Sequence, residues 1–144
     1  MMTGLLALTA AAIFTGAALY VNVAEQPARL TLEDRALLTE WKPSYKRGAA
    51  MQAPLALVGF VLGLTAWWQT SHPGFLMGAI AMVAPWPWTL IGIKPTNDAL
   101  LATELDNAGP PTRALVVKWG ALHAVRTALS ALATVAFLWA CLSR

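Results

Sequence analysis

The sequence predicts an all-α fold: a four-helix transmembrane bundle with a short amphipathic interfacial helix between helices 1 and 2. Three observations predict it. The 144-residue chain is 58% hydrophobic and only 12% charged, against about 45–50% and about 25% in an ordinary soluble domain. Its mean hydropathy is +0.57. Its apolar residues gather in runs close to the roughly 20 residues that cross a bilayer. A domain of this size still exposes about 30% of its chain surface after folding. So little charge cannot cover that surface, and lipid is the solvent that suits it.

The first run, residues 4–23, carries no charge. No Lys or Arg precedes Arg29, so it lacks the positive n-region of a signal peptide and reads as a retained helix. The second run is about 49–68, the third about 75–93 and the fourth about 114–142, together making a single membrane domain over 1–144. Between the first two, Leu30, Asp34, Leu37, Leu38 and Trp41 repeat at helical spacing. Thr31 followed by Glu33 and Asp34 fits a helix start, with acids in the first turn. This stretch is the predicted interfacial helix. Pro85 and Pro87 remove backbone donors from the third span and clash with the turn before them. The half of that span nearest the third connection is therefore predicted to kink or end early. Its freed carbonyls need neighbours or cavity water, which points to a cavity there as readily as to a harmless kink. Asn107-Ala108-Gly109-Pro110-Pro111 is a helix stop and turn.

Charge sets the orientation. The first connection holds Arg29, Arg35, Lys42, Lys46 and Arg47, the third holds Lys94 and Arg113, and the second holds no Lys or Arg. The positive-inside rule predicts loops 1 and 3 in the cytoplasm and both termini outside. The net charge of +3 does not point to nucleic acid, because the basic residues form no stripe with interleaved aromatics. Cys141 is the only cysteine, which excludes an internal disulfide and a Cys–His zinc pattern. There is no Gly-rich phosphate loop, GxSxG or HExxH.

Polar residues mark the ends of the spans. Asn22 and Glu25 are three apart and share a helical face. Trp41, Tyr45 and Gln52 form a stripe, with Arg47 close by, and Thr89 and Asn97 follow the third span. Trp119, His123, Arg126 and Ser130, separated by four, three and four, lie on one face of the fourth. The alternating direction of the spans brings all four sets to one end. His123 is roughly 13 Å into its span, with Arg126 deeper. A charge there costs at least about 2.5–3.5 kcal/mol if it faces lipid. Arg126 is thus expected to face the interior and find an acid, Glu25 or else Asp98. His123 alone would serve equally as interhelical glue, worth about 0.6 kcal/mol. Arg126 within one turn of it favours a pocket. The catalytic candidates are His123, Glu25 and Arg126. The substrate-binding candidates are Asn22, Trp41, Tyr45, Arg47, Gln52, Thr89, Asn97 and Trp119. If a metal ion binds, His123, Glu25 and Asp98 offer one nitrogen and two oxygens, a set that suits iron. Trp119 is set apart from the other tryptophans, which read as an interfacial belt. Gly59 and Gly63 form a GxxxG that serves either a homo-oligomer or close contact within the bundle.

Several ordered segments carry a resemblance. They are Tyr20 and Asn22 with Glu25-Gln26-Pro27-Ala28-Arg29, Trp41-Lys42-Pro43-Ser44-Tyr45-Lys46-Arg47, Pro87-Trp88-Thr89, Pro95-Thr96-Asn97 and Trp119-Gly120-Ala121-Leu122-His123-Ala124-Val125-Arg126. Together they resemble the anthrone-oxygenase-like family of small integral membrane proteins, most of them uncharacterised. The resemblance implies a four-helix membrane fold and oxidation of an anthrone to an anthraquinone, with dioxygen as co-substrate. The positions it carries over are Glu25, Trp41, Tyr45, Arg47, Thr89, Asn97, Trp119, His123 and Arg126. The expected function is a membrane-embedded oxidoreductase acting on a small hydrophobic, anthrone-like molecule in a cytoplasmic-side pocket. The alternative is a non-catalytic membrane subunit or binding protein whose polar cluster is structural. Room beside the cluster favours the first, and a cluster with every group paired favours the second.

Overall fold

Backbone groups in hydrocarbon have no water to bond, so apolar runs of this length become helices. The computed structural model describes residues 2–143. Four helices in it are long and apolar enough to cross a membrane: α1 (Met2–Arg29), α2 (Asp34–Thr70), α3 (Pro73–Ala102) and α4 (Pro110–Leu142). A 3₁₀ turn, Leu105–Asn107, joins α3 to α4, and no strand occurs among the described residues. α1 and α3 each pack against both α2 and α4. The four therefore form an up-down-up-down ring. The α1–α2 and α3–α4 connections share one end, called here the polar end. Leu5, Ile13, Val58, Val61, Ile80, Leu132 and Val135 are exposed on the outside, a surface for acyl chains. The chain is an integral membrane protein by this composition and length.

Two cores fill the ring. Ala7, Ala11, Phe14, Ala66, Phe75, Met82, Ala133 and Phe137 pack the half away from the polar end. Small residues there let the helices approach closely. A Cβ on Gly59 would lie 2.6 Å from Met82 Cε, and one on Gly63 would lie 2.7 Å from Phe137 Cζ. The GxxxG is thus used inside the bundle. A Cβ on Gly78 would overlap the Phe137 ring. Gly78→Ala is expected to destabilise the bundle by about 1–3 kcal/mol, read as a lower Tm in detergent by tryptophan fluorescence.

The second core lies at the polar end. Leu37, Leu38 and Trp41 of α2 bury against Ile93 and Leu100 of α3 and Val116 and Trp119 of α4. This packing changes the expected interfacial helix. The segment is helical only from Asp34, and it runs without a break through Pro43 and Pro54 into the second span. Thr31 does not start it. Its hydroxyl donates to Ala28 O at 2.7 Å, at the end of α1. With 37 residues, α2 is about 55 Å long at 1.5 Å per residue, well beyond a hydrocarbon core of about 30 Å. Its first turns continue the axis of the span, and their apolar face buries against α3 and α4. Lys42 Nζ donates to Leu101 O and Thr103 O, at 3.1 and 2.6 Å, and so holds the C-terminus of α3. Arg113 Nε donates to Asp34 Oδ1 at 2.7 Å, and its other nitrogens bond Leu30 O and Leu32 O.

The third span does not end early. α3 is interrupted at Ala84, just before Pro85, and continues through a π-helical turn, Thr89–Ile93, to Ala102. α1 contains a second π-helical turn, Val21–Glu25. Each turn sits where its helix enters the polar end. α2 packs closely on Pro73–Val83 of α3 but only sparsely on the stretch from Pro85 onward. The proline interruption leaves a gap between the two helices there.

Candidate functional site

The π turn in α1 decides what that helix presents. Ala7, Ala11, Phe14 and Ala18 are buried at spacings of four, three and four. An unbroken helix would continue the stripe at about residues 21 and 25. The extra residue taken up by Val21–Glu25 moves the stripe instead to Asn22, Gln26 and Arg29, of which the last two are buried.

Asn22 joins α1 to α4. Its Nδ2 donates to Gly120 O at 2.9 Å, and its Oδ1 accepts from Thr127 Oγ1 at 2.7 Å. The same Oδ1 lies 2.8 Å from His123 Nδ1. A carbonyl cannot donate, so the bond to Gly120 fixes which end of the amide is nitrogen. Oδ1 is then an acceptor, and Nδ1 of His123 carries the proton. In its neutral form the ring then holds its lone pair on Nε2. The imidazole is buried and tilts against Trp119 with centroids 5.0 Å apart. Trp119 meets Trp41 edge-on at 5.8 Å, and Trp41 stacks on Tyr45 at 5.0 Å with planes 2° apart. Asn97 Nδ2 donates to the Tyr45 hydroxyl at 3.3 Å.

Arg29 ties a second knot beside these rings. Its Nη2 lies 2.6 Å from Glu25 Oε1 and donates to Ser44 Oγ at 2.8 Å. Its Nε lies 2.8 Å from Glu40 Oε2, and its guanidinium sits 5.5 Å from the centre of the Trp119 ring. Gln26 Nε2 donates to Val116 O at 2.8 Å. Each charged member of the knot has an ion-pair partner, although Arg29 Nε and Glu40 Oε2 meet only as charges, without a formed hydrogen bond. Arg29→Met would leave two carboxylates facing each other. Loss of one partner of a buried pair costs about 3–5 kcal/mol. The carboxylates here are partly exposed, so about 2 kcal/mol is expected. Adding Glu25→Gln and Glu40→Gln to that variant should recover most of the lost Tm.

Arg126 is different. Its Nη2 donates to Gln52 Oε1 at 3.1 Å, and its guanidinium lies 5.6 Å from the Phe14 ring centre. Its Nε is buried with no hydrogen-bond partner. Among the described residues no carboxylate pairs with it. The expected acids are engaged elsewhere. Glu25 is held by Arg29, and Asp98 is exposed at the surface, 2.5 Å from Lys94 Nζ. The set His123, Glu25 and Asp98 therefore does not assemble. No group of three His, Cys, Asp or Glu side chains suited to a metal occurs among the described residues.

Two cavities meet at Arg126. The smaller, about 30 Å³, is lined by Glu25, Arg29, Tyr45, Gln52, Trp119, His123 and Arg126 among others. The larger, about 110 Å³, is lined by Tyr45, Ala49, Ala53 and Ala56 of α2, Pro85, Trp86, Thr89 and Leu90 of α3, and Arg126. It occupies the gap left by the proline interruption. Tyr45, Ala49 and Arg126 are the walls common to both.

Most of the candidates read from the sequence thus converge at the polar end. Asn22, His123, Trp119, Trp41, Tyr45 and Asn97 form one connected chain of contacts, the bonded pair Gln52 and Arg126 borders the same small cavity, Glu25 reaches the rings through Arg29, and Thr89 lines the larger cavity. Arg47 does not join: it is exposed and lines neither cavity. Sequence reading passed over Arg29, Gln26 and Glu40. The signal for Arg29 was present in Glu25 and Arg29 themselves, an acid and a base four apart.

No curated protein and no solved structure matches the chain. A family profile described as anthrone oxygenase matches residues 41–136. The match covers all of α2 from Trp41 and reaches past Trp119, His123 and Arg126. With two-thirds of its length inside that match, the chain belongs to the anthrone oxygenase family.

Proposed function

We propose that the protein is a membrane-embedded oxygenase that converts a small, flat, anthrone-like substrate to the corresponding quinone, with dioxygen as co-substrate. One observation carries the reading. A histidine that donates from Nδ1 to Asn22 and leaves Nε2 to the cavity, and an arginine with no acidic partner among the described residues, border the same small cavity, and that arginine also ends an apolar cleft. A half-buried cation with no acid among the described residues is suited to an anion that arrives with the substrate.

An anthrone is acidic at its CH₂ carbon, because losing a proton there makes the central ring aromatic. The substrate lies across the inner end of the cleft, with its carbonyl oxygen at Arg126 and the opposite, CH₂ edge of its central ring turned along the shared wall towards the His123 side. The smaller cavity, about 30 Å³, has room for a water. His123 Nε2 takes the CH₂ proton through that water, and the charge moves to the oxygen facing Arg126. The electron-rich anion then reduces dioxygen. A carbon–oxygen bond forms at the deprotonated carbon, and loss of water gives the second carbonyl. The balance is one anthrone and one dioxygen to one anthraquinone and one water. Tyr45 and Trp119 wall the site, and Asn22 keeps the imidazole in the required tautomer.

The positive loops support a polar end in the cytoplasm. The paired Arg29 knot favours a structural role for its own members, whereas the unpaired Arg126 and the space beside it favour chemistry. The test is turnover. Protein purified in mild detergent and given an anthrone should consume dioxygen and form quinone in a one-to-one ratio. Equal rates with and without protein would refute the proposal.

A further inference from the structure

α2 and α3 close on each other along only part of their length. At Gly59 the Met82 side chain lies against the α2 backbone. Towards the polar end, Pro85 interrupts α3 and the helices separate around the larger cavity. Tyr45 forms the polar-end corner of the α2 wall of this opening, and the rest of that wall is Ala49, Ala53 and Ala56. These residues lie in the first part of the apolar run 49–68, beneath the exposed Lys46 and Arg47. On the α3 side, Trp86 and Leu90 are 37% and 57% exposed on the outside of the bundle. Trp86 Nε1 donates to Ala53 O at 3.2 Å and so spans the opening. Arg126 closes its inner end.

We infer that a flat apolar substrate reaches this site sideways from the bilayer, between α2 and α3, with its carbonyl or phenolic oxygen leading towards Arg126 and with Ala53 and Trp86 as the threshold. The depth of the opening carries the argument. It lies among side chains that face acyl chains, not among the charged residues of the polar end. The enclosed volume of about 110 Å³ is small beside the roughly 300–1,000 Å³ of an ordinary ligand pocket. A tricyclic molecule would keep its trailing edge in the opening. Lipid tails are as apolar as leucine, so moving rings from bilayer to cleft contributes little. Selection must come from the oxygen at Arg126 and from the width set by Ala53. A ring system lacking that oxygen should not be retained.

The chemistry after arrival rests on the proposed oxygenase function, but the route does not. The test uses the full chain in phosphatidylcholine vesicles. One readout is oxidation of anthrone, and the other is quenching of tryptophan fluorescence by a hydroxyanthraquinone. Lipid is varied at constant total probe. Half-saturation in both readouts should follow the mole fraction of probe in the lipid. Ala53→Leu narrows the opening from α2 and Leu90→Trp narrows it from α3. Each should raise half-saturation roughly tenfold, the scale of one misfitting group in an apolar pocket. Half-saturation that follows the aqueous concentration, or wild-type binding by both variants, overturns the route even if anthrone is oxidised. Binding that follows the lipid and weakens in both variants, without any turnover, upholds the route and removes the oxygenase reading.

Discussion

Replacing His123 with alanine is expected to lower kcat for anthrone oxidation by about 10³-fold, within the 10²–10⁴ range of a positioned general base. The bundle should survive, because Asn22 keeps its bonds to Gly120 O and Thr127 Oγ1. Its Oδ1 is an acceptor with one donor remaining, so no buried polar group is orphaned. Substrate binding should change little, since the ring faces the small cavity and not the cleft. Imidazole added to the variant should restore part of the rate. Asn22→Leu should also slow turnover, by freeing the imidazole to protonate on Nε2. A His123→Ala protein within tenfold of the wild-type kcat would make the imidazole interhelical glue.

Arg126→Gln is expected to separate activity from stability. An oxyanion donor typically contributes 10²–10³ in kcat, and a loss of that size should appear with the proton-transfer step. Stability should move the other way. Removing one partner of a buried ion pair normally leaves an unpaired charge. Arg126 has no such partner among the described residues, and its single hydrogen bond goes to a neutral amide. The unpaired cation costs free energy where it stands, so Gln should leave Tm unchanged or raise it, as at other sites where function opposes stability. Arg126→Lys keeps the charge but loses the planar fork, and should fall between. If Arg126→Gln unfolds the protein while the purified remainder keeps its kcat, Arg126 is a structural residue. Thermal unfolding in detergent and initial rates of dioxygen uptake decide between these results.

The candidate site was legible where helices are regular. Trp119, His123 and Arg126 come from one unbroken stretch of α4, and Trp41, Tyr45 and Gln52 from one unbroken stretch of α2. Spacing alone places each set on one face. Gln26 was hidden because α1 carries an extra residue in its π turn. One residue is about 100° of helix, which is enough to bring Gln26 inward in place of Glu25. With Arg29 inside, Glu25 has a cation four residues away and does not reach across to Arg126. Asp98 is lost to the site for an equally local reason: Lys94 lies one turn before it on the same helix.

Four apolar runs, their order and the gathering of polar residues at one end are properties of the chain alone. They depend on length, hydropathy and alternating direction, which a bilayer enforces whatever the packing. Which carboxylate meets which cation was decided only in the folded bundle. So was the run of α2 straight out of the membrane, and so was the cavity opposite Pro85. The reason is that each of these depends on helix phase and on surfaces from distant parts of the chain. A single inserted residue or a missing backbone donor resets that phase without altering the composition that first reveals the spans.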